Sequence, residues 1–530
     1  ELTQKIYSAE FDTSKQREQL IQEAVTEGVN ESVRIFLASK VNQYVANEKI
    51  SGIVNDFGAG VPSRFTPINA QSEEDEFVIG VKQIYQGAWN PIMGLTDTYS
   101  RHIWGIISDP GTFKHPFTGE TFPVRVDWQV ETAGPNDKLT VPQKAIIWNP
   151  TLQKWENISQ GTVATSKVTF DFKFSNWHNG EMMDMNDILY SLYFTIDWGT
   201  QVDKNDKTFD TEYTPRAAQM IESIIGVNQI DADTLEVYVD YWHFDEGEIA
   251  EWGDTWSVMP WEISVAMEKA VIDGKVSFSR SGATSKNINW LSLIVPNDAI
   301  LIKNYLQEFK EENYIPIAFK NENKNSEYYQ NRYDSSINWI ENNNHAVISN
   351  GPFYLESYAP ESRTITVKAF EDDTYPFKIG KWSEFENVQF PIIKKIDLKK
   401  VIMKGDELKI GIKTVNSDSI LYFLTNNEGE LIESENIKVS QDDMSINLSA
   451  EKTEKLGIGA NNIKIFAMSN SVLKPDYYES SFIVTNEKIE LPTSNTDGIE
   501  FTENKDNHII WIIPTITIVG IIIYLKKRQS

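Results

Sequence analysis

The sequence predicts a mixed α/β domain, followed by a small β-sandwich and one C-terminal transmembrane helix. Three observations support this architecture. Strands with period-two alternation and amphipathic helices follow one another from about residue 77 to 393. From residue 394 to 484 the sequence is nearly free of helical patterns. Residues 509–525 carry no charge. A chain of 530 residues is too long for one core, so roughly two to four domains are expected.

The α/β part is predicted from two clear strands and the helical runs that accompany them. In Lys167–Ser175 the apolar residues occupy every second position, and Thr234–Tyr241 repeats this alternation. The helical runs are Met182–Trp198, Ile263–Ile272 and Asn297–Lys310. Strands interleaved with helices favour an α/β domain over a sandwich or a bundle.

The first 66 residues form a separate predicted segment. It contains a polar helix at Ser14–Glu27 and a strand-like run at Ser32–Ala38, and Gly58, Gly60 and Pro62 then break the pattern. We assign residues 1–66 to this segment and residues 67–393 to the α/β domain.

Residues 394–486 are predicted to form a β-sandwich of immunoglobulin-like type. Short alternating runs such as Leu408–Ile412 and Ile463–Ala467 are separated by turn residues at Asn426–Gly429 and Lys474–Asp476. Residues 487–507 are rich in Thr, Asn, Glu and Asp, which predicts a polar linker.

The C-terminal segment predicts a membrane anchor. Residues Ile509–Leu525 are Ile-rich and without charge, contain Trp511 and Tyr524 near the two ends, and precede Lys526–Arg528. We expect a transmembrane helix at 508–525 and a cytoplasmic tail at 526–530, because basic residues favour the cytoplasmic side. The preceding part is then expected to be extracellular, on a single-pass protein of the cell membrane.

Composition excludes several functional classes. The formal net charge is −28, which repels nucleic-acid phosphates, so no nucleic-acid partner is expected. The chain has no cysteine, which removes disulfides, thiolate metal sites and cysteine nucleophiles. Its six histidines are scattered without ligand spacing, and no His-Glu-x-x-His motif occurs. We therefore expect no metal, no cofactor and no catalytic residue.

Because the chain starts at Glu1 without a signal-like stretch, we expect it to be processed or incomplete there.

One segment has a distinctive strand, turn and helix order. The strand at Lys167–Ser175 leads through Trp177 and His178-Asn179-Gly180 into a helix with Asp184 at its N-cap. Asp187 stands three residues later, where it can reach back in an acidic form of the capping box.

This segment resembles the signature of the family 5 extracellular solute-binding proteins, which bind dipeptides, oligopeptides or nickel. His178, Gly180 and Asp187 match the family pattern, whereas Asn179 replaces Asp and Asp184-Met185 replace Thr-Ala. Further landmarks occur in family order at Ala88–Ile92, at Ser349–Tyr354 and at Phe370–Tyr375. In the second of these, Asn350 stands where Thr is usual, before Gly351, Pro352 and Phe353. The resemblance spans Phe77–Ile393.

The resemblance implies a lobe of the type II periplasmic-binding fold in an ABC importer. Such a protein captures a peptide or similar small solute and delivers it to membrane permease subunits, and it is not an enzyme. Asn90, Tyr99 and Trp177 are the candidate ligand contacts in this interpretation. Turn chemistry alone accounts for the remaining motif residues, so these have an expected structural role: His178, Asn179, Gly180, Asp184, Asp187, Asn350, Gly351, Pro352 and Phe353.

Residues 1–66 resemble the end of a family member, with Asp12–Arg17 opening its late helix. The order of segments therefore predicts a permuted chain or a C-terminal part of a longer one, with an incomplete binding cleft. The family's second lobe has no counterpart that we find in the sequence.

Two alternative functions stay open at this point. A surface-anchored glycosidase or protease would use the abundant carboxylates and tryptophans. A structural cell-surface protein would explain the sandwich, the linker and the anchor, although it would not explain the signature segment.

Overall fold

The computed structural model describes two units, each with its own core. The first unit spans Glu1–Asn387 and the second begins at Val388. The described residues are 1–32, 37, 41–74, 76, 78–82, 87–320, 324–441, 443–487 and 499–500.

Helices of the first unit begin where the chain supplies caps. Thr13 and Asp97 accept backbone N–H groups of the first turns that follow them, and Pro296 stands in the first turn of its own helix. The helices are α1 (Leu2–Tyr7), α2 (Ser14–Asn30), α3 (Phe65–Asn69), α4 (Thr98–Ile107), α5 (Met185–Gly199), α6 (Tyr213–Ser223), α7 (Glu246–Gly253), α8 (Trp261–Ile272), α9 (Arg280–Lys286), α10 (Pro296–Glu312) and α11 (Ser326–Asn343).

The strands of the first unit are mostly short. They are β1 (Ile50–Ser51), β2 (Gln71–Ser72), β3 (Thr112–Lys114), β4 (Thr121–Pro123), β5 (Val126–Thr132), β6 (Leu139–Thr140), β7 (Ile146–Asn149), β8 (Lys154–Asn157), β9 (Val163–Ala164), β10 (Ser166–Phe172), β11 (Ile224–Gln229), β12 (Thr234–Val239), β13 (Val276–Ser277), β14 (Asn289–Trp290), β15 (Phe353–Ala359) and β16 (Thr364–Ala369).

A six-stranded antiparallel sheet in the order β5-β10-β12-β11-β7-β8 is the largest sheet among the described residues of this unit. Val168, Phe170 and Phe172 are buried on one face of β10, as the period-two pattern predicts. They join a core cluster to which α5 and α8 contribute most of their apolar side chains. The mixed α/β architecture predicted for this part is therefore observed.

The second unit consists of two facing sheets. One has the order β22-β19-β17-β25 and the other the order β18-β24-β23-β20-β21. Inward residues of both sheets form one core, including Ile410 and Ile446 from the first sheet and Ile420, Ile465 and Phe482 from the second. The elements are β17 (Ile392–Asp397), β18 (Val401–Met403), β19 (Leu408–Val415), β20 (Ser419–Thr425), β21 (Leu431–Lys438), β22 (Asp443–Leu448), α12 (Ala450–Glu454), β23 (Gly459–Met468), β24 (Asp476–Thr485) and β25 (Ile499–Glu500).

Several predicted segments lie outside the described residues. These are most of the strand-like run Ser32–Ala38, nearly all of the linker 487–507, the membrane helix 508–525 and the tail 526–530. In the part of the chain that the structure describes, no helix has the length and apolar character needed to cross a bilayer.

The signature helix α5 starts with the predicted capping box. Asp184 accepts the N–H of Asn186 at 3.0 Å, and Asp187 Oδ2 accepts the N–H of Asp184 at 3.0 Å. The Asp184 carboxylate also accepts the Tyr328 hydroxyl at 3.1 Å and binds the Lys324 ammonium at 2.9 Å.

We predict that Asp184→Ala lowers the free energy of unfolding of the first unit by about 0.5–2 kcal/mol, because the first turn of α5 loses its cap. Urea unfolding followed by tryptophan fluorescence measures this change. The fluorescence reports mainly on the first unit, because Trp511 is the one tryptophan beyond Trp382 in the sequence. Asp406→Ala in the second unit is the control and should leave the transition unchanged. An equal shift in both variants would contradict a local capping effect.

Candidate functional site

The signature turn and the Gly-Pro turn form one hydrogen-bonded unit, although about 170 residues separate them in sequence. The N–H of His178 donates to the Ser349 carbonyl at 2.9 Å, and the Ser349 N–H donates to His178 Nδ1 at 3.3 Å. The other ring nitrogen, Nε2, lies 3.1 Å from the Gly351 carbonyl oxygen and must carry the proton. Burial lowers the pKa of His178 to about 4, so the ring is neutral at pH 7.

Two glycines are required by the geometry of this junction. Gly180 has φ of +88°, in the left-handed region that favours glycine. A Cβ added to Gly351 would lie 2.6 Å from the backbone carbonyl carbon of Ile107. These constraints explain both glycines by backbone geometry alone.

Asn350, Pro352 and Phe353 continue the junction into the β15–β16 hairpin. Asn350 Oδ1 accepts the Asp109 N–H at 2.9 Å, and the Pro352 carbonyl accepts the N–H of Phe370 at 2.8 Å. Phe353 pairs with Ala369 at the start of the hairpin. Their positions are consistent with the structural role that the sequence predicts for them.

The signature turn also holds the loop that follows the hairpin. Asn176 donates its N–H to Thr374 Oγ1 at 2.8 Å and its side-chain amide to Asp372 Oδ2 at 3.0 Å. Asn179, three residues later, donates to Ser336 Oγ at 3.0 Å. Three of the sequence landmarks therefore meet around one turn.

The three predicted ligand contacts do not lie together in an open cleft. Asn90 is fully buried, and its amide donates to the carbonyls of Phe278 and Leu291 at 3.3 and 2.8 Å. Trp177 is also fully buried and donates to Asp187 Oδ2 at 3.3 Å, whereas Tyr99 is half-buried on α4. A ligand role for these residues stays a prediction, since the contacts of Asn90 and Trp177 are internal to the protein.

A buried arginine binds two buried carboxylates next to the signature helix. The guanidinium of Arg332 lies 2.6 Å from Asp187 Oδ1 and 2.8 Å from Glu262 Oε2, and its Nε donates to Glu262 at 2.9 Å. It also stacks over the ring of Trp261 at 5.3 Å. We call Asp187, Glu262 and Arg332 the Arg332 cluster.

The Arg332 cluster holds one more negative than positive group when all three side chains are ionised. Burial raises the pKa of Asp187 and of Glu262, and the attraction of Arg332 opposes this shift. Asp187 therefore combines a capping role with an ion pair, which makes it a structural residue.

A third buried carboxylate, Glu268 on α8, has aromatic donors around it. Its Oε2 accepts the hydroxyl of Tyr190 at 2.5 Å, and its Oε1 accepts the hydroxyl of Tyr193 at 2.9 Å and the indole N–H of Trp198 at 3.0 Å. Among the described residues no cation lies within ion-pair distance of it. Burial raises the pKa of Glu268, and the three donated hydrogen bonds lower it in part.

The buried carboxylate of Asp109 binds two arginines and a tyrosine. Oδ1 accepts from Arg64 at 2.8 Å, and Oδ2 accepts from Arg125 at 3.3 Å and from the Tyr375 hydroxyl at 2.8 Å. Arg125 also donates to the Asn350 carbonyl at 2.9 Å. The four residues Arg64, Asp109, Arg125 and Tyr375, which we call the Asp109 cluster, hold two positive groups and one negative group.

A concavity of about 550 Å³ opens beside the Asp109 cluster. It is lined by Lys173, whose carbonyl accepts from Arg125 at 2.8 Å, and by the segment that follows Tyr375. We call it the basic concavity, and its lining residues are Lys173, Pro376, Phe377, Lys378, Ile379, Gly380 and Lys381.

In the described ranges, no group of three or more His, Asp, Glu or Cys side chains is placed to hold a metal ion. The buried carboxylates of Asp187, Glu262 and Glu268 accept hydrogen bonds from arginine, tyrosine and tryptophan donors.

Sequence reasoning missed the polar residues that hold the first unit together. Asp109, Arg125 and Arg332 stand in no recognisable motif, and only the fold brings them to their partners. A signal did exist in α8, where Glu262 and Glu268 stand among mostly apolar residues. Charged residues on a buried helix face indicate buried partners.

Comparison with known proteins assigns the chain to no family. No family model matches it, and no curated protein matches it. Among solved structures, a β-glucosidase from Listeria innocua in complex with isofagomine matches with 14% identity and a TM-score of 0.14, over 18% of this chain and 16% of that chain. A mutant of that enzyme in complex with laminaribiose matches over the same shares with 16% identity and a TM-score of 0.14. Such scores are too low to carry an argument about fold or activity.

We predict that Arg332→Met destabilises the first unit by about 3–5 kcal/mol, because it leaves two buried carboxylates without their cation. Urea unfolding at pH 7 measures the loss. Arg216→Met on the exposed face of α6 is the matched control and should change stability by less than about 0.5 kcal/mol. A loss below about 1 kcal/mol for Arg332→Met would show that the ion pairs contribute little.

The stability of the first unit should depend on pH through the buried carboxyl group of Glu268. Because burial raises the pKa of Glu268 in the folded state, its favourable contribution is fully present below the unfolded pKa and is lost as pH rises through the folded pKa. Glu268→Gln stays neutral at every pH, so the wild-type chain should lose stability relative to this variant as pH rises above the ordinary carboxyl pKa of about 4.3.

Urea unfolding of both proteins at several pH values measures this difference, in which the titration of all other groups cancels. Glu222→Gln, at an exposed position of α6, should show no such trend. A difference that stays constant with pH would mean that Glu268 keeps an ordinary pKa.

Proposed function

We propose that this protein is the extracellular solute-binding component of an ABC importer, which captures peptides or similar small solutes and delivers them to a membrane permease. In this proposal residues 67–393 form a lobe of the type II periplasmic-binding fold, residues 1–66 contribute the tail of that fold, and residues 508–525 anchor the chain in the cell membrane. The second unit then serves as a spacer between the lobe and the membrane.

One observation carries the proposal. The landmarks that resemble family 5 solute-binding proteins at His178–Gly180, Ser349–Phe353 and Phe370–Tyr375 contact one another through direct hydrogen bonds. Chance similarities at distant places in a sequence have no reason to meet in space. Their meeting supports the interpretation that they belong to one inherited structural unit.

Three buried carboxylates of the first unit are not placed for hydrolysis. A glycosidase needs two carboxyl groups that face the substrate on either side of the scissile bond. Asp187, Glu262 and Glu268 are each at most 5% exposed and are bonded to internal partners. These three carboxylates are therefore unsuited to act on a bound sugar or peptide.

Saturation-transfer NMR with the full chain in mild detergent tests the proposed function. A mixture of di- to pentapeptides should receive saturation from the protein, with dissociation constants on the order of 1 mM, because a single lobe covers one side of the ligand only. Thermal unfolding should shift little at such affinity.

The same spectra report the alternatives. An oligosaccharide mixture is the control and should receive no saturation. Absence of transfer to any peptide at about ten times the expected dissociation constant would contradict the proposal. New product signals from either mixture would favour the hydrolase instead.

A further inference from the structure

The turn that forms the wall of the basic concavity presents two lysines. The N–H of Lys381 donates to the Lys378 carbonyl at 3.1 Å, and Gly380 has φ of +82°, as the third residue of a type II turn requires. The first and last residues of such a turn have their Cα atoms less than about 7 Å apart. Both ammonium groups therefore originate from one short, defined segment.

No counter-ion of these two ammonium groups is found in the described part of the chain. Within the described residues no carboxylate lies within 4 Å of Lys378 or Lys381, whereas the third lysine of the concavity, Lys173, is paired with Asp127 at 2.7 Å. This is notable in a chain with 77 acidic and 49 basic residues. Like charges at the two ends of one turn repel each other, and a bound anion relieves that repulsion.

The Asp109 cluster adjoins the concavity and holds one more positive than negative group. The Asp109 cluster places two guanidinium groups against one carboxylate, and it joins the concavity through Tyr375 and through the carbonyl of Lys173. The buried Nε of Arg64 has no hydrogen-bond acceptor among the described residues. A concave surface over a low-dielectric, positively charged interior concentrates anions.

The concavity is also partly apolar. Ile379 is 96% exposed at the tip of the turn, and Pro376 and Phe377 line the same wall. The Lys381 ammonium lies 5.4 Å from the centroid of the Trp382 ring, a contact that leaves its charge without a counter-ion among the described residues. Ile379 between the two lysines therefore offers one contact for a hydrocarbon group, and the lysines offer two for a negative charge. The C-terminal residue of a short peptide carries both groups on a single carbon atom, namely its carboxylate and an apolar side chain.

We infer that the basic concavity binds the free carboxylate of a peptide or similar solute whose neighbouring side chain is apolar. Lys378 and Lys381 bind the carboxylate, and Ile379 with Phe377 contacts the side chain. This inference rests on the proposed function, which it narrows to solutes that carry a free carboxylate.

Lysine acylation of the full chain, read out by mass spectrometry, tests the inference at the residues concerned. N-acetyl-glycyl-leucine is the probe, because it has a free carboxylate and no amine to react with the acylating reagent. At about twice its dissociation constant it should lower the acylation rates of Lys378 and Lys381 about threefold, in proportion to the free fraction of the site. The C-terminal amide of the same probe should leave both rates unchanged.

Lys204 and Lys207 are internal controls, since they are exposed, have the same spacing and have no ion-pair partner within the described ranges. Their rates should not respond to either probe. Equal protection by the acid and by the amide would overturn the inference, as would equal protection of all four lysines. Equal protection by inorganic phosphate would also overturn it, because the site would then bind anions without regard to the apolar group.

A pair of double variants gives an independent measurement. Lys378→Gln/Lys381→Gln should weaken binding of N-acetyl-glycyl-leucine at least about threefold in saturation-transfer NMR, as the loss of two exposed ion pairs implies. Lys204→Gln/Lys207→Gln changes the net charge equally and should have no effect. Unmodified peptides that bind both variants alike would leave the proposed function intact and refute the carboxylate site. Absence of binding by every peptide would count against both.

Discussion

The carboxylate of Asp109 is the interaction on which the geometry of the candidate site depends. It joins Arg64 from the N-terminal segment, Arg125 immediately before β5 and Tyr375 from the loop after the β15–β16 hairpin. Side-chain bonds to one buried anion therefore join three segments that are distant in sequence. A buried charge is tolerated there because each of its oxygens has a charged or hydroxyl donor.

The first unit contains two buried ion clusters with opposite charge excess. The Asp109 cluster has two cations for one anion, whereas the Arg332 cluster has two anions for one cation. Burial of an unbalanced charge costs free energy, and that cost is lowered when a charge outside the cluster compensates for it. For the Asp109 cluster, a ligand anion in the adjacent concavity would provide such compensation.

Hydrogen bonds of the signature turn connect the buried motif residues with the segment that leads to the basic concavity. His178 holds the Ser349–Gly351 segment, and Asn176 holds the loop that leads to the lysine turn. A change in the signature segment would therefore alter the basic concavity without touching its lining residues.

Much of the architecture follows from the sequence, because it depends on local patterns. Alternation predicted β10 and β12, helical periodicity predicted α5, α8 and α10, and the capping residues Asp184 and Asp187 occupy their predicted places. The sequence pattern changes near residue 394, and the second unit begins at Val388. Each of these features is decided by residues within one or two turns of each other.

The tertiary structure alone decided which polar side chains are buried together. Arg125 and Asp109 are near in sequence, but their shared partners Arg64 and Tyr375 are not, and Arg332 reaches Asp187 from 145 residues away. Asn90 and Trp177, predicted as ligand contacts, are enclosed by the core for the same reason. Burial and ion pairing depend on how distant segments pack, and no local pattern encodes that packing.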